Sequence, residues 1–256
     1  MTYSLKNLCA GWDKISDPVL KNLSLQIPRG LISIIGPNGS GKSTLLRVLA
    51  GLKGYSGSLT LQGREVSTLK RREFARTVSA VLSDKNLKPS YPFSVREIIA
   101  MGRLPYRGLF SRLTRNDITI IERSAEILGI THLLERDIMT LSDGERQTAF
   151  IACGLAQGTS TLLLDEPTSS LDPDRSAKVF AVLRTLADGG RTVIAAVHDI
   201  NLSLSFSDYY IALKNGVLIS NGCKISADVL SGLYGTKFIS YHNDERNDLM
   251  WRALPC

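Results

Sequence analysis

Apolar positions along this chain follow two rhythms. Over residues 3–8 and 19–27 they recur at short, strand-like intervals, with Val19, Leu20, Leu23, Leu25 and Ile27 leading into the turn Pro28-Arg29-Gly30. Leu31-Ile32-Ser33-Ile34-Ile35 is a short run that reads as a buried strand, and Leu45 to Ala50 reads as the first turns of a helix. Gly57 to Leu61 and Val78 to Leu82 predict two more strands. The texture then changes. Ser94-Val95-Arg96-Glu97 has capping-box spacing and opens a short helix ending near Gly102. Thr114 to Asp117 opens another, whose apolar face carries Ile118, Ile121, Ala125 and Leu128 before Gly129. Residues from about 86 to 155 thus predict a mostly helical insert in an α/β frame.

After the insert, strand and helix alternate again. Thr161 to Asp165 predicts a strand, and Asp172-Pro173 a helix start with proline at its first position. That helix presents Val179, Val182, Leu183 and Leu186 and ends at Asp188-Gly189-Gly190. Thr192 to Val197 is the next strand. Ile211 to Leu213 and Val217 to Ser220 predict a hairpin about Lys214-Asn215-Gly216, since Asn-Gly is a strong hairpin signal. Residues 226–256 are weakly patterned and predict no site.

Between the strand at 31–35 and the helix at 45–50 lies Gly36-Pro37-Asn38-Gly39-Ser40-Gly41-Lys42-Ser43-Thr44, which meets the spacing G-x-x-x-x-G-K-[ST] at every required position. The context is the one the motif needs. Such a loop aims backbone N–H groups at a phosphate chain, assisted by the positive end of the helix. Lys42 is placed to reach the β- and γ-phosphates, and the Ser43 hydroxyl to ligate Mg²⁺. The chain is therefore expected to bind a nucleoside triphosphate. An ordinary strand-turn-helix with a surface lysine is the alternative, and it would not require the complete motif.

Composition narrows the setting more than the chemistry. With 43% hydrophobic and 21% charged residues, the 256-residue chain matches a globular protein with a sizeable core. No apolar run approaches the roughly 18 residues a membrane helix needs, and Met1 to Leu20 lacks the apolar centre of a signal peptide. Cys9, Cys153, Cys223 and Cys256 show no paired spacing, which favours reduced, structural thiols over a metal site or disulfides. The net charge of +7 is dispersed; its densest run, Lys70-Arg71-Arg72, is followed at once by Glu73 and reads as a solvated helix face rather than a nucleic-acid surface.

A second set of polar residues falls where strands end. Thr161-Leu162-Leu163-Leu164-Asp165-Glu166 ends in adjacent carboxylates, placing Asp165 near Mg²⁺ and Glu166 near the γ-phosphate, where it can accept a proton from an attacking water. Leu141-Ser142-Asp143-Gly144-Glu145 opens a helix, and by itself is either a phosphate-facing helix start or a plain cap. His198, after the strand at 192–197 and 32 residues beyond Glu166, exits at the same sheet edge, where its imidazole can meet the γ-phosphate or the water.

These pieces, in this order, resemble the ATP-binding cassette (ABC) ATPase family over essentially the whole chain. The resemblance implies one ABC ATPase domain over residues 1–256: an α/β P-loop fold with a mixed sheet core, an N-terminal antiparallel part and the helical subdomain as an insert. The family's Walker A, Q-loop, signature, Walker B, D-loop and H-loop would be 36–44, about 83–84, 141–145, 161–166, 169–172 and His198. Trp12 resembles the aromatic that stacks on adenine, with Tyr3 as a substitute and a core tryptophan as the alternative. Two departures stand out. The signature reads LSDGE rather than LSGGQ, keeping Ser142 and Gly144 and placing Glu145 where glutamine is usual. The Q-loop offers Asp84 in place of glutamine, and a carboxylate there is expected to contact Mg²⁺ directly or through one water.

The resemblance also implies assembly. Two cassettes would stack head to tail, as a homodimer or with a related subunit, each ATP lying between one P-loop and the other chain's Ser142, Gly144 and Glu145, with Asp172 linking the two sites. The segment from Tyr91 to Tyr106 and the run LSDGERQ resemble importers of iron–siderophore complexes, haem and cobalamin. Such a subunit sits peripherally on the cytoplasmic face of the inner membrane, works with integral-membrane permease subunits and a periplasmic substrate-binding protein, and binds no nucleic acid. An exporter ATPase and a soluble, non-transport ABC ATPase are the alternatives.

Overall fold

A computed structural model describes residues 1–11, 18–82, 91–107, 111–243 and 248–254. Strand β1 (Tyr3–Ala10) buries Tyr3, Leu5, Leu8 and Ala10, and β2 (Leu20–Ile27) buries Leu20, Leu23, Leu25 and Ile27. Where the apolar spacing widens from two to three, the pairing register of the two strands shifts, and Asn7 and Asn22 take positive φ there. The bulge keeps every large apolar side chain on the inner face. Strand β3 (Leu31–Ile35) is buried at every residue, as befits a central parallel strand. The loop after it leads into α1 (Lys42–Leu49), and β4 (Ser56–Leu61) and β5 (Arg64–Glu65) complete an antiparallel sheet in the order β2-β1-β4-β5.

A short helix, α2 (Arg71–Ala75), carries the basic run, and β6 (Val78–Val81) follows it. The insert then supplies α3 (Val95–Met101), α4 (Arg115–Ile127) and α5 (Asp143–Ala156), each opened by a complete capping box, on Ser94, Thr114 and Ser142. These helices enclose a core of their own, including Val95, Ile99, Ile121, Ala125 and Ala149. The expected face of α4 is rotated: Ile118 is exposed, and Asp117 is buried in its stead. Its partner is the reason, because Arg103 Nε donates to Asp117 Oδ1 at 2.9 Å and Arg103 Nη1 to the Ala156 carbonyl at 2.8 Å.

The frame resumes with β7 (Thr161–Asp165), α6 (Pro173–Asp188), β8 (Thr192–Ala196), α7 (Ile200–Phe206), β9 (Tyr209–Lys214) and β10 (Val217–Gly222). The hairpin turns on Asn215 and Gly216, both at positive φ, as a primed turn requires. The larger sheet runs β10-β9-β3-β8-β7-β6. Strands β6, β7, β8, β3 and β9 are parallel, and β10 is antiparallel at the edge. Two apolar cores pack against it, one shared with α1 and the antiparallel sheet, the other with α6. The described residues between 226 and 254 hold more regular structure than their pattern suggests. They form α8 (Ala227–Tyr234), capped by Ser226, and a hairpin of β11 (Phe238–Asn243) with β12 (Asp248–Ala253). Among the described residues no helix is long and apolar enough to cross a membrane.

Candidate nucleotide site

Three neighbouring strands, β7, β8 and β3, deliver their carboxyl ends to one edge of the sheet. Asp165 pairs with Ala196, and Ile34 pairs with Ala196 from the other side. Beyond the strands, the Glu166 N–H donates to the Ala196 carbonyl at 2.9 Å and the Val197 N–H to the Ile34 carbonyl at 3.1 Å. These bonds fix where the loop at 36–44, the pair Asp165-Glu166 and His198 leave the sheet. A ligand at this edge sits outside the strand ends, where open α/β sheets bind their ligands.

The loop is shaped by close approach. A Cβ on Gly36, at φ +152°, would lie 2.1 Å from the Leu213 carbonyl oxygen, so only glycine permits this packing. Lys42 is buried at the start of α1, and its Nζ donates to the carbonyls of Gly36 at 2.8 Å and Pro37 at 3.0 Å. The Gly216 N–H donates to the Ser40 carbonyl at 3.0 Å, so the hairpin turn supports the loop from behind. Sequence reading found that turn but not this role. Asn-Gly was the available signal, and its distance in sequence hid the contact.

Two features of the loop suit a phosphate group. The Ser40 hydroxyl is buried without a partner, and the space beside Gly39 is open. At the next position, Ser43 Oγ donates to Asp165 Oδ1 at 3.1 Å. A hydroxyl and a carboxylate held side by side are hard oxygen donors of the kind Mg²⁺ takes, alongside water and phosphate oxygens.

Burial sets the charges. It raises the pKa of the Asp165 carboxyl, a shift opposed by the Ser43 hydrogen bond and reinforced by the adjacent Glu166 charge. Burial lowers that of Lys42, while Glu166 and Asp165 pull it back up. Glu166 adopts φ +50°, a left-handed backbone for a residue with a side chain. Its Oε1 lies 2.8 Å from His198 Nε2. The pair can orient a water or receive its proton.

A second group of expected residues gathers elsewhere on the chain. Ser142 caps α5: its hydroxyl and N–H both donate to Glu145 Oε2, at 2.8 and 3.0 Å. Glu145 in place of glutamine therefore closes an anionic capping box. Its carboxyl is held low by the Ser142 backbone and hydroxyl, and it sits well at a helix N-terminus. Asp143 pairs with Arg146 at 3.0 Å within the same turn. A Cβ on Gly144 would lie 2.9 Å from the Ser170 carbonyl oxygen, which joins this turn to the segment that Asp172 terminates by capping α6. Ser142, Gly144, Glu145 and Asp172 thus gather about the starts of α5 and α6. Trp12 and Asp84 lie outside the described residues.

Comparison with known proteins agrees with this geometry. The ABC transporter family model matches residues 20–169. The iron(3+)-hydroxamate import ATP-binding protein FhuC of Bacillus subtilis is 36% identical over 222 residues, covering 84% of this chain and 82% of that one. The hemin import ATP-binding protein HmuV of Pseudomonas putida is 35% identical over 249 residues, covering 93% and 94%. Among solved structures, a dimeric post-hydrolysis state of the ATP-binding cassette MJ0796 bound to ADP and Pi superposes with a TM-score of 0.76 at 25% identity, over 88% of this chain and 99% of that one. The chain belongs to the ABC transporter family. Within it, this protein is an ATP-binding subunit that hydrolyses ATP.

Proposed function

We propose that this protein powers the import of a metal chelate, an iron–siderophore complex or haem, through a separate membrane permease. The observation that carries the hydrolytic part is the meeting of Glu166 and His198 at 2.8 Å beside the loop that holds Lys42. The import part rests on the names of relatives that match most of this chain, FhuC and HmuV. In this reading the backbone of 36–44 and Lys42 hold the triphosphate. Glu166 accepts the proton of the attacking water while His198, at 2.8 Å, fixes the carboxylate's orientation. Mg²⁺ would be held by Ser43 and Asp165, and when bound it supplies charge neutralisation on the phosphate oxygens.

The group of Ser142, Gly144, Glu145 and Asp172 is read as the complement of a second cassette's loop, supported by the packing of Gly144 on Ser170, which brings the starts of α5 and α6 together. Two copies then enclose ATP at their seam and part after hydrolysis. Trp12 stacks on the base and Asp84 reaches the metal in the same reading. The chain works at the cytoplasmic face of the inner membrane, its permease receiving cargo from a periplasmic binding protein.

The test is reconstitution. The subunit and the permease that co-purifies with it from detergent are placed in lipid vesicles with ferric hydroxamate, haem or cobalamin supplied on the outside with binding protein. ATP-dependent accumulation of an iron chelate supports the reading. Accumulation of cobalamin alone moves the cargo, outward transport makes it an exporter, and phosphate release without any permease association returns it to a non-transport ATPase.

A further inference from the structure

We propose that Asn201 is a positioning residue for ATP hydrolysis: its side-chain amide clamps the backbone of Trp251, and the C-terminal hairpin thereby holds α7, and His198 just before it, in place against Glu166. The proposal rests on the reading of Glu166 and His198 as the hydrolytic pair.

The clamp is two-sided. Asn201 Nδ2 donates to the Trp251 carbonyl at 2.9 Å, and the Trp251 N–H donates to Asn201 Oδ1 at 2.7 Å. One primary amide thus meets the donor and the acceptor of a single residue of β12, as a neighbouring strand would. The Trp251 side chain is buried in the core that α6 covers, so the hairpin is a fixed anchor rather than a loose tail.

Helix α7 needs such an anchor. It is only seven residues long, and Ser203 is its one fully buried residue. Its leucines and Phe206 are half-buried against the core that α6 covers, the Phe206 ring lying 5.8 Å from that of Phe180. Apolar packing seats the helix body, and polar bonds fix its first turn. Asp199 caps it by accepting from the Leu202 N–H at 2.9 Å, and Asn201 ties it to the hairpin. Only Asp199 and Ile200 separate His198 from Asn201, so a shift of the helix start is a shift of the imidazole.

The same C-terminal segment includes α8, whose Leu230 and Leu233 are buried in the core that α6 covers, with Tyr234 packed against it. Helix and hairpin are themselves joined, through the Tyr234 and Phe238 rings at 5.8 Å and the bond from the Phe238 N–H to Ser231 Oγ at 2.9 Å. Helix α8 and the strands β11 and β12 thus back the start of α7, and with it the histidine.

The test is a double-mutant cycle on the full-length subunit, reading phosphate release. Asn201→Ala is expected to lower kcat by about ten- to a hundredfold, the scale of a misplacement near one ångström, with the KM for ATP little changed. In a His198→Ala background the same substitution is expected to add no further loss, because it acts through that histidine. A wild-type rate for Asn201→Ala, or losses that simply multiply in the double variant, overturns the clamp. Should Asn201→Ala fail to fold, Asn201→Asp keeps the acceptor for the Trp251 N–H and removes the donor, and it is read in the same cycle. A wild-type rate for His198→Ala removes the hydrolytic role of the histidine and the clamp with it. An impaired His198→Ala beside multiplying losses overturns the clamp alone.

Discussion

Glu166 and His198 come from different strands yet meet at 2.8 Å, because the Glu166 backbone is fastened to Ala196, two residues before the histidine. The carboxylate is thereby aimed by the sheet and not only by its own rotamer. Glu166→Gln keeps the shape and the hydrogen-bonding reach but cannot accept a proton. It is expected to retain nucleotide binding, trap the closed dimer with ATP and lower phosphate release by about a hundredfold or more. Near-normal turnover in this variant removes Glu166 from the role of base.

Lys42 is predicted to act on binding instead. Its ammonium is buried and bonded to the loop's own carbonyls, so it is preorganised at the phosphate position. Replacement by alanine removes charge-assisted bonds worth about 1.5–3 kcal/mol each, so ATP affinity should fall by at least tenfold in titration with a fluorescent analogue.

Gly102 ends α3 where it crosses α5. A Cβ there would stand 2.2 Å from the Cys153 carbonyl oxygen and 3.1 Å from the Gln157 nitrogen. Gly102→Ala is expected to force the two helices apart and cost about 1–3 kcal/mol in denaturant unfolding. ATP binding should be unaffected, since the crossing lies within the insert.

Asp117 gives the insert a pH signature. Burial alone would raise its carboxyl, but the Thr114 and Arg103 bonds hold it at about 2, below the ordinary 3.8. The folded value is the depressed one. Its stabilising contribution is therefore complete above the unfolded value and is lost as pH falls from about 4 toward 2. Asp117→Ala should destabilise the protein by about 3–5 kcal/mol at neutral pH, because it strands Arg103 in a buried site. It should also flatten the acid limb of an unfolding curve.

Much of the frame was legible from residues alone, for physical reasons that differ by element. Ser94, Thr114 and Ser142 announced helix starts because capping boxes are local, and Leu31 to Ile35 announced a central strand because burial on both faces leaves little room for polar residues. The strand-end residues Asp165, Glu166 and His198 were legible because a parallel sheet delivers successive carboxyl ends to one edge. Helix α7 was not legible, since Asn201-Leu202-Ser203-Leu204-Ser205-Phe206 alternates like a strand and becomes helical through its Asp199 cap and the Trp251 clamp. Ile118 was misplaced because the Arg103–Asp117 pair, fourteen residues apart, rotates α4. The support of Ser40 by Gly216 depends on a contact far apart in sequence, which no local pattern announces.

The helical insert has an apolar core of its own, and it joins the frame through one face of α5, where Ile151 and Leu155 enter the core that α6 covers and Gly154 packs on Val81 and Leu162. Arg72 and Arg76, donating to the Pro105 carbonyl, and Gln157, donating to the carbonyls of Ala75 and Val78, add polar ties beside it. A body packed on its own core and seated through a single helix moves as one piece with that helix, because internal deformation would cost more packing than a shift of the whole. Work done where phosphate is cleaved can therefore reach a distant membrane partner as displacement, with little dissipated in deforming the arm that carries it.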